Sequence, residues 1–382
     1  MKRKRIAVFT GGRSEYGILR PVVTAISESK SLDLQLIVSG VHLLKKYGST
    51  IELINRDGFS IDAKVNIVID EEIEGKVSLE IGNGILEFTK ILLRLKPDLV
   101  VLSGDRSEAL ACAVSAAFIP IPIAHIHGGD LSKAGFDESI RHAITKLAHF
   151  HFPATKKSMN RILRMGENPK NVFLVGAPGL DELMSEPVIS KGELSKKLGV
   201  KIGNTLIILL QHPVSTSPTT ARREIRETLK AVSNIKCTRI LIYPNGDPGS
   251  NAIANELEKF SSKKDYLVLR NMDRRIYANT LRIANVLVGN SSSGIIEASS
   301  FGLPVVNVGT RQEGRERNSN VVDIDYDALR IETAISKIIK GKKRFKKDNI
   351  YGNGHSGKKI AKILEKINLH LNLIQKHFYE KN

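Results

Sequence analysis

Short runs of consecutive apolar residues alternate along the chain with longer stretches whose apolar positions recur every three to four residues. Ile6–Phe9, Leu34–Val38, Leu99–Leu102, Ile121–Ala124 and Val172–Val175 are nearly unbroken apolar runs, the mark of parallel strands buried on both faces. Helical spacing fills the gaps, near Tyr16–Ser27, Leu79–Leu95, Glu108–Ala117 and Glu138–His149. A second series of runs follows at Leu206–Leu210, Ile240–Tyr243, Leu267–Leu269, Val286–Val288 and Val305–Val308. Its helices are expected near Ala221–Val232, Asn251–Phe260, Ile276–Ala284 and Gly294–Ser300. This is βαβ repetition, twice over, and predicts α/β architecture with two doubly wound, Rossmann-like domains. The Gly/Pro-marked segment Gly176–Pro187 is the natural break, giving domains at 1–180 and 181–357. Lys358–Phe378 reads as one long helix, and residues 358–382 are expected to rejoin the first domain.

Composition narrows the class. Of 382 residues, 41% are hydrophobic and 26% charged, which suits a soluble globular protein. The apolar stretch Ala109–Ala124 is shorter than the roughly 20 residues that span a bilayer. The basic residues after Met1 lead into only a short apolar run, so no secretory signal is read there. Cys112 and Cys237 stand far apart, outside any C-x-x-C spacing. A cytosolic protein, with no membrane partner, is the expectation. The net charge of +18 raises a nucleic-acid reading. Its distribution weighs against one: residues 2–5 carry four positive charges, and residues 341–382 hold eleven Lys/Arg against three acidic residues. With no zinc-finger spacing and 5% aromatic residues, no nucleic-acid partner is expected.

Open α/β sheets bind ligands beyond the carboxyl ends of their strands, so the residues following each run carry the chemistry. After the first comes Thr10-Gly-Gly-Arg-Ser-Glu-Tyr-Gly, where Arg13 suits a phosphate and the turn lacks the G-x-G-x-x-G dinucleotide fingerprint. His42 follows the second run. Asp105 and Arg106 follow the run at 99–102, as an acid/base carboxylate beside a phosphate-binding arginine or as an ion-paired helix cap. The densest stretch is His125-Ile-His-Gly-Gly-Asp, continuing to Asp137-Glu-Ser-Ile-Arg-His; five of ten histidines lie between His125 and His151. H-x-H-x-x-D raises a zinc reading, but the metallo-hydrolase pattern H-x-H-x-D-H is not met, and acid/base groups fit better. In the second half, Gln211-His212-Pro213, Pro244-Asn-Gly-Asp-Pro-Gly and Gly289-Asn-Ser-Ser-Ser-Gly-Ile-Ile-Glu end successive runs. Small hydroxyl residues at a helix start suit a diphosphate, and Glu297 one turn on suits ribose hydroxyls. Arg311 and Arg315 follow the run at 305–308.

Taken together, G-x-R-S-E-Y-G, S-G-D-R-x-E, H-I-H-G-G-D, S-I-R-H-A-I-T-K-L-A-H, Y-P-N-x-D-x-G, G-N-S-S-S-G-I-x-E and G-x-R-Q-x-G-R resemble, in order from about residue 5 to residue 323, the hydrolysing UDP-N-acetylglucosamine 2-epimerases of the sialic-acid route and their bacterial and archaeal relatives. The resemblance implies a GT-B fold, two Rossmann-like domains facing a cleft with UDP held mainly by the second. It implies the reaction UDP-GlcNAc plus water to N-acetylmannosamine plus UDP. In the family's chemistry a base removes the C2 proton as UDP leaves C1, giving 2-acetamidoglucal; water then adds at C1 and C2 is reprotonated on the other face. No cofactor and no metal are implied; the partner is a small nucleotide sugar, and a homo-oligomer (dimer or tetramer) is expected.

Residue by residue, Asp105 and Asp137 match the family's acidic positions, and Arg13, Arg106, His212, Asn245, Ser291, Ser292, Glu297 and Arg311 its nucleotide contacts. His42, Asp247 and Gly294 complete the expected binding set. Several members carry glutamate where this chain has His127, in H-I-E-G-G-E, and Asp130 replaces the later glutamate. The family's third acidic catalyst is therefore missing, or its role passes to His127, Asp130 or Glu138. Related enzymes act on UDP- or GDP-linked diacetamido sugars. A GT-B glycosyltransferase, a non-hydrolysing epimerase and a sugar-nucleotide sensor are the competing readings.

Overall fold

The computed structural model describes residues 3–44, 50–69, 74–131, 137–214, 217–244, 248–342, 344–369 and 375–380. The chain forms two compact units. The first runs to Asp181 and resumes at Tyr351; the second spans Glu182–Ile350. Each is built on a six-stranded, all-parallel sheet.

The first sheet consists of β1 (Lys4–Thr10), β2 (Leu32–Ser39), β3 (Ala63–Val65), β4 (Leu99–Ser103), β5 (Ile123–Ile126) and β6 (Phe150–Phe152), in the order β3-β2-β1-β4-β5-β6. The second has β7 (Leu206–Leu210), β8 (Thr238–Ile242), β9 (Tyr266–Leu269), β10 (Val286–Gly289), β11 (Val305–Val308) and β12 (Val321–Ile324), in the order β12-β11-β10-β7-β8-β9. Read from its other edge, the second order repeats the first. Both are the doubly wound 3-2-1-4-5-6 arrangement, whose strand order reverses between β1 and β4 and between β7 and β10.

Period-two alternation explains why these strands are apolar throughout. Ile6 and Val8 enter one buried cluster with Leu19, Val22 and Leu364, while Ala7 and Phe9 enter the opposite one with Phe88, Leu92 and Cys112. Likewise Leu206, Ile208 and Leu210 face one cluster and Ile207 and Leu209 the other. Helices cover both faces of each sheet, so the residues of central strands such as β4, β7 and β10 are buried whichever way they point.

Three expectations need correction. The run at Val172–Val175 is no strand: Val172 makes one isolated bridge to His151, and the sixth strand is Phe150–Phe152, which ends at Pro153. The run expected at Ile121–Ala124 starts two residues later, so His125 lies inside β5 rather than beyond it. The long helix at Lys358–Phe378 is Ser356–Lys366, and residues 367–369 and 375–380 are not helical. Lys4 Nζ donates to the carbonyls of Leu364, Glu365 and Ile367 at 3.1, 2.7 and 2.6 Å, ending the helix at its last turn as a cationic C-cap does. That helix lies on Arg13–Ser27 in the first unit, with Ile360, Ala361 and Leu364 buried.

Candidate active site

In the first unit the loops after β1, β2, β4 and β5 meet at the carboxyl edge where the strand order reverses. Gly40 has φ +59, and a Cβ there would stand 2.5 Å from Gly11 O and 2.6 Å from Glu108 Oε1. Only glycine lets the three loops approach so closely. Glu15, 6% exposed, accepts the Gly11 N–H at 2.6 Å, and burial pushes its carboxyl up to about 8. Arg106 forks onto buried Glu108 at 2.7 and 3.1 Å. The ion-paired cap reading of Arg106 thus describes its state here, while its side chain stays 37% exposed. Asp137 begins the helix Asp137–Leu147, exposed, and its charge is felt at Arg106. Arg13 is exposed at the first turn of its helix. His42 is fully buried between Thr50 Oγ1 at 2.7 Å and Thr10 Oγ1 at 3.2 Å, and burial holds it down at about 4, so it is a neutral brace within the loops.

A second network surrounds the end of β5. Arg141, 3% exposed, ion-pairs Asp105 through one guanidinium nitrogen and donates to the Asp130 carbonyl at 2.9 Å through another. His127 Nδ1 lies 3.0 Å from Asp130 Oδ2, and Ser158 Oγ donates to Asp130 Oδ1 at 2.6 Å. His125 points elsewhere: Nε2 is 2.8 Å from Gly104 O and Nδ1 3.1 Å from Thr145 Oγ1. Burial depresses His125 to about 3, so the ring is neutral; Nε2–H donates to the carbonyl and Nδ1 accepts from the hydroxyl. It pins the Gly104 peptide next to Asp105. The two histidines of H-x-H therefore have separate partners. Among the described residues no group of three or more His, Cys, Asp and Glu is placed to hold a metal. Glu138 is half-buried one residue into the helix, and its charge acts on His142.

In the second unit the edge at β7 and β10 carries another constellation. Gly289 has φ +126 with Leu210 O against the place of a side chain, which brings the ends of β10 and β7 together. Asn290 then reads the next turn: its Oδ1 accepts the His212 N–H at 2.7 Å and its Nδ2 donates to His212 O at 2.9 Å. The Asn290 carbonyl accepts from Gln312 Nε2 at 2.9 Å and Arg311 at 3.3 Å. His212 is 5% exposed; burial first and the Arg311 charge second push it down to about 3, leaving a neutral imidazole. Ser291 caps the short helix Ser292–Ile296. Gly294 lets that helix touch the sheet, because a Cβ would meet Val305 at 3.0 Å and Leu287 at 3.3 Å. Glu297 accepts from Ser293 Oγ, which also bonds Tyr277, and burial raises the Glu297 carboxyl. Asn245 and Asp247 lie outside the described residues.

The structure thus joins Asp105, His127 and Asp130 through Arg141, and His212 and Arg311 through Asn290. Sequence reading singled out neither Arg141 nor Asn290, and it passed over Glu15, Ser158 and Tyr277. Arg141 and Asn290 sat inside quoted motifs, and their places there, one turn into the helix Asp137–Leu147 and directly after β10, were the available signal.

A family profile described as UDP-N-acetylglucosamine 2-epimerase matches residues 24–365. A "UDP-N,N'-diacetylbacillosamine 2-epimerase (hydrolyzing)" of Legionella pneumophila is 36% identical over 98% of each chain. A "UDP-N-acetylglucosamine 2-epimerase" of Neisseria meningitidis is 34% identical over 96% of this chain and 95% of its own. A solved structure of UDP-GlcNAc 2-epimerase from Neisseria meningitidis, bound to UDP-GlcNAc, has a fold similar to this chain, with TM-score 0.80 and 20% identity over 95% of this chain and 100% of that one. The extent of the profile match and of these identities places the chain in the UDP-N-acetylglucosamine 2-epimerase family, as an enzyme.

Proposed function

We propose that the protein is a hydrolysing nucleotide-sugar 2-epimerase that converts UDP-N-acetylglucosamine and water to N-acetylmannosamine and UDP. The observation that carries this reading is that the buried guanidinium of Arg141 ion-pairs Asp105 and also holds the backbone carbonyl of Asp130, whose carboxylate faces His127 Nδ1, so that titratable groups gather beyond β5. Epimerisation at C2 with loss of the nucleotide needs one group to take a proton from C2 and another to return one on the opposite face. Asp105, His127 and Asp137 supply them in this reading, with Asp130 and Glu138 beside them. As the C2–H pair becomes the C1=C2 bond, the C1–O pair leaves with UDP. Water then adds at C1, giving the free sugar.

Departure of a diphosphate calls for cations and convergent N–H groups. Arg311 with the Ser291, Ser292 and Gly294 turn of the second unit fills that role in this reading, and Arg13 and Arg106 are the basic groups at the edge of the first unit's own sheet. His212, Asn245, Asp247 and Glu297 are assigned to the nucleoside, with His42 bracing the first-unit loops. UDP-GlcNAc in the similar Neisseria structure supports this class of ligand. The 36% identity to the Legionella enzyme favours a second reading, in which the sugar is UDP-linked N,N'-diacetylbacillosamine. Incubation with each nucleotide sugar, with chromatography of nucleotide and free sugar, tests the proposal. Free 2-epimer and UDP in equal amounts support it, and the faster substrate names the sugar. Conversion to a UDP-linked epimer without release of UDP overturns it.

A further inference from the structure

We infer that His127 is the base that removes the C2 proton, and that Asp130 and Ser158 are its positioning residues. This inference rests on the reaction proposed above. His127 sits in the left-handed region at φ +62, a conformation uncommon for a residue with a side chain and one that persists only where its surroundings over-determine it. They do so here. Its N–H reaches Phe152 O at 3.2 Å, Gly128 lies against His125 Nδ1 and Thr145 Oγ1 with no room for a side chain, and Gly129 (φ +72) passes close to the Ser158 carbonyl. Arg161 holds the Gly129 carbonyl and Arg141 that of Asp130.

Within this loop the donors run one way. Thr155 Oγ1 donates to Ser158 Oγ at 3.0 Å, Ser158 Oγ donates to Asp130 Oδ1 at 2.6 Å, and the remaining oxygen, Oδ2, faces His127 Nδ1 at 3.0 Å. A carboxylate accepts and does not donate, so the neutral ring carries its proton on Nδ1 and its lone pair on Nε2. The carboxylate accepts from Ser158 through one oxygen and faces the ring with the other, and the side chains of His127 and Asp130 are 11% and 18% exposed. In the elimination, Nε2 takes the C2 proton, the C2–H electron pair becomes the C1=C2 bond, and the C1–O pair departs on UDP. The imidazolium forms against Asp130. The pair goes from a net charge of −1 to zero, the same change a single carboxylate base undergoes.

Two measurements test this. In protein with ¹⁵N-labelled imidazoles, His127 should show the Nδ1–H tautomer, and Asp130→Ala should shift it toward Nε2–H; a wild-type Nε2–H tautomer overturns the inference. In turnover, His127→Gln should lose about 10²-fold or more in kcat with KM held, and Asp130→Ala at least about 10-fold. His127→Gly, whose backbone suits φ +62, should regain turnover with added imidazole. His127→Gln that still turns over, or that releases 2-acetamidoglucal, shows elimination without the imidazole and overturns the assignment. A wild-type enzyme inert toward both nucleotide sugars instead defeats the proposed reaction, and the inference with it.

Discussion

Glu15 lies under the Gly11 turn with one oxygen on the Gly11 N–H and the other, Oε1, buried with no hydrogen-bond partner among the described residues. Burial raises its carboxyl to about 8, against the opposing pull of the Gly11 N–H and Arg106. A folded-state value above the unfolded one means the native state binds the extra proton. The associated stability is full below the unfolded value of about 4.3 and is lost as pH rises through about 8. Thermal midpoints measured from pH 6 to 9 should therefore fall in the wild type and stay flatter in Glu15→Gln; parallel curves would remove Glu15 as the cause. Asp105 and Asp137 carry the catalytic prediction at this scale. Each Asp→Asn change should lower turnover by about 10²-fold or more while sparing UDP affinity, because a positioned acid or base contributes about 10²–10⁴-fold. Near-normal turnover in either variant takes that carboxylate out of the reaction.

At the level of elements, the turn from β10 into Ser292–Ile296 concentrates the nucleotide-binding expectation. Ser293 bridges Tyr277 and Glu297 there, and Gly294 sets the helix against β11. Glu297→Ala should weaken UDP by about 1.5–3 kcal/mol, as loss of a hydrogen bond to a charged group does, read by calorimetry. Unchanged affinity assigns the ribose elsewhere. The strands at these edges were legible because parallel strands covered on both faces need no polar residue, which makes Leu206–Leu210 and Val286–Val288 plain runs. Ala63–Val65 and Val321–Ile324 were not legible, since a three-residue strand split by Lys64 and a half-exposed edge strand interrupted by Asp323 form no unbroken apolar run. Phe150–Phe152 hid behind His151, whose buried ring is matched by Glu167 at 3.0 Å, a partner only the fold reveals. The site divides the same way. Asp105 and His127 follow strand ends, and Glu297 closes the short helix after β10, so all three could be found from order alone; Arg141 and Ser158 matter through partners 36 and 28 residues away, Asp105 and Asp130.

Across the whole molecule, two sheets of one topology carry different sets of groups at their reversal points: the Glu15 and Glu108 carboxyls with Arg106 in the first unit, and His212, Asn290, Ser291 and Arg311 in the second. No described helix is long and apolar enough to cross a membrane. Because arginine side chains rather than a metal are assigned the diphosphate, activity should survive exhaustive chelation; loss with EDTA and recovery with Mg²⁺ or Zn²⁺ would return the H-x-H segment to a metal role. The central claim is proton exchange at C2 coupled to release of the nucleotide, and incubation with UDP-GlcNAc in D₂O, followed by NMR of the products, tests it most directly. The account predicts free N-acetylmannosamine with deuterium at C2, together with UDP; free sugar retaining hydrogen at C2, or a UDP-linked epimer with no UDP released, would contradict it.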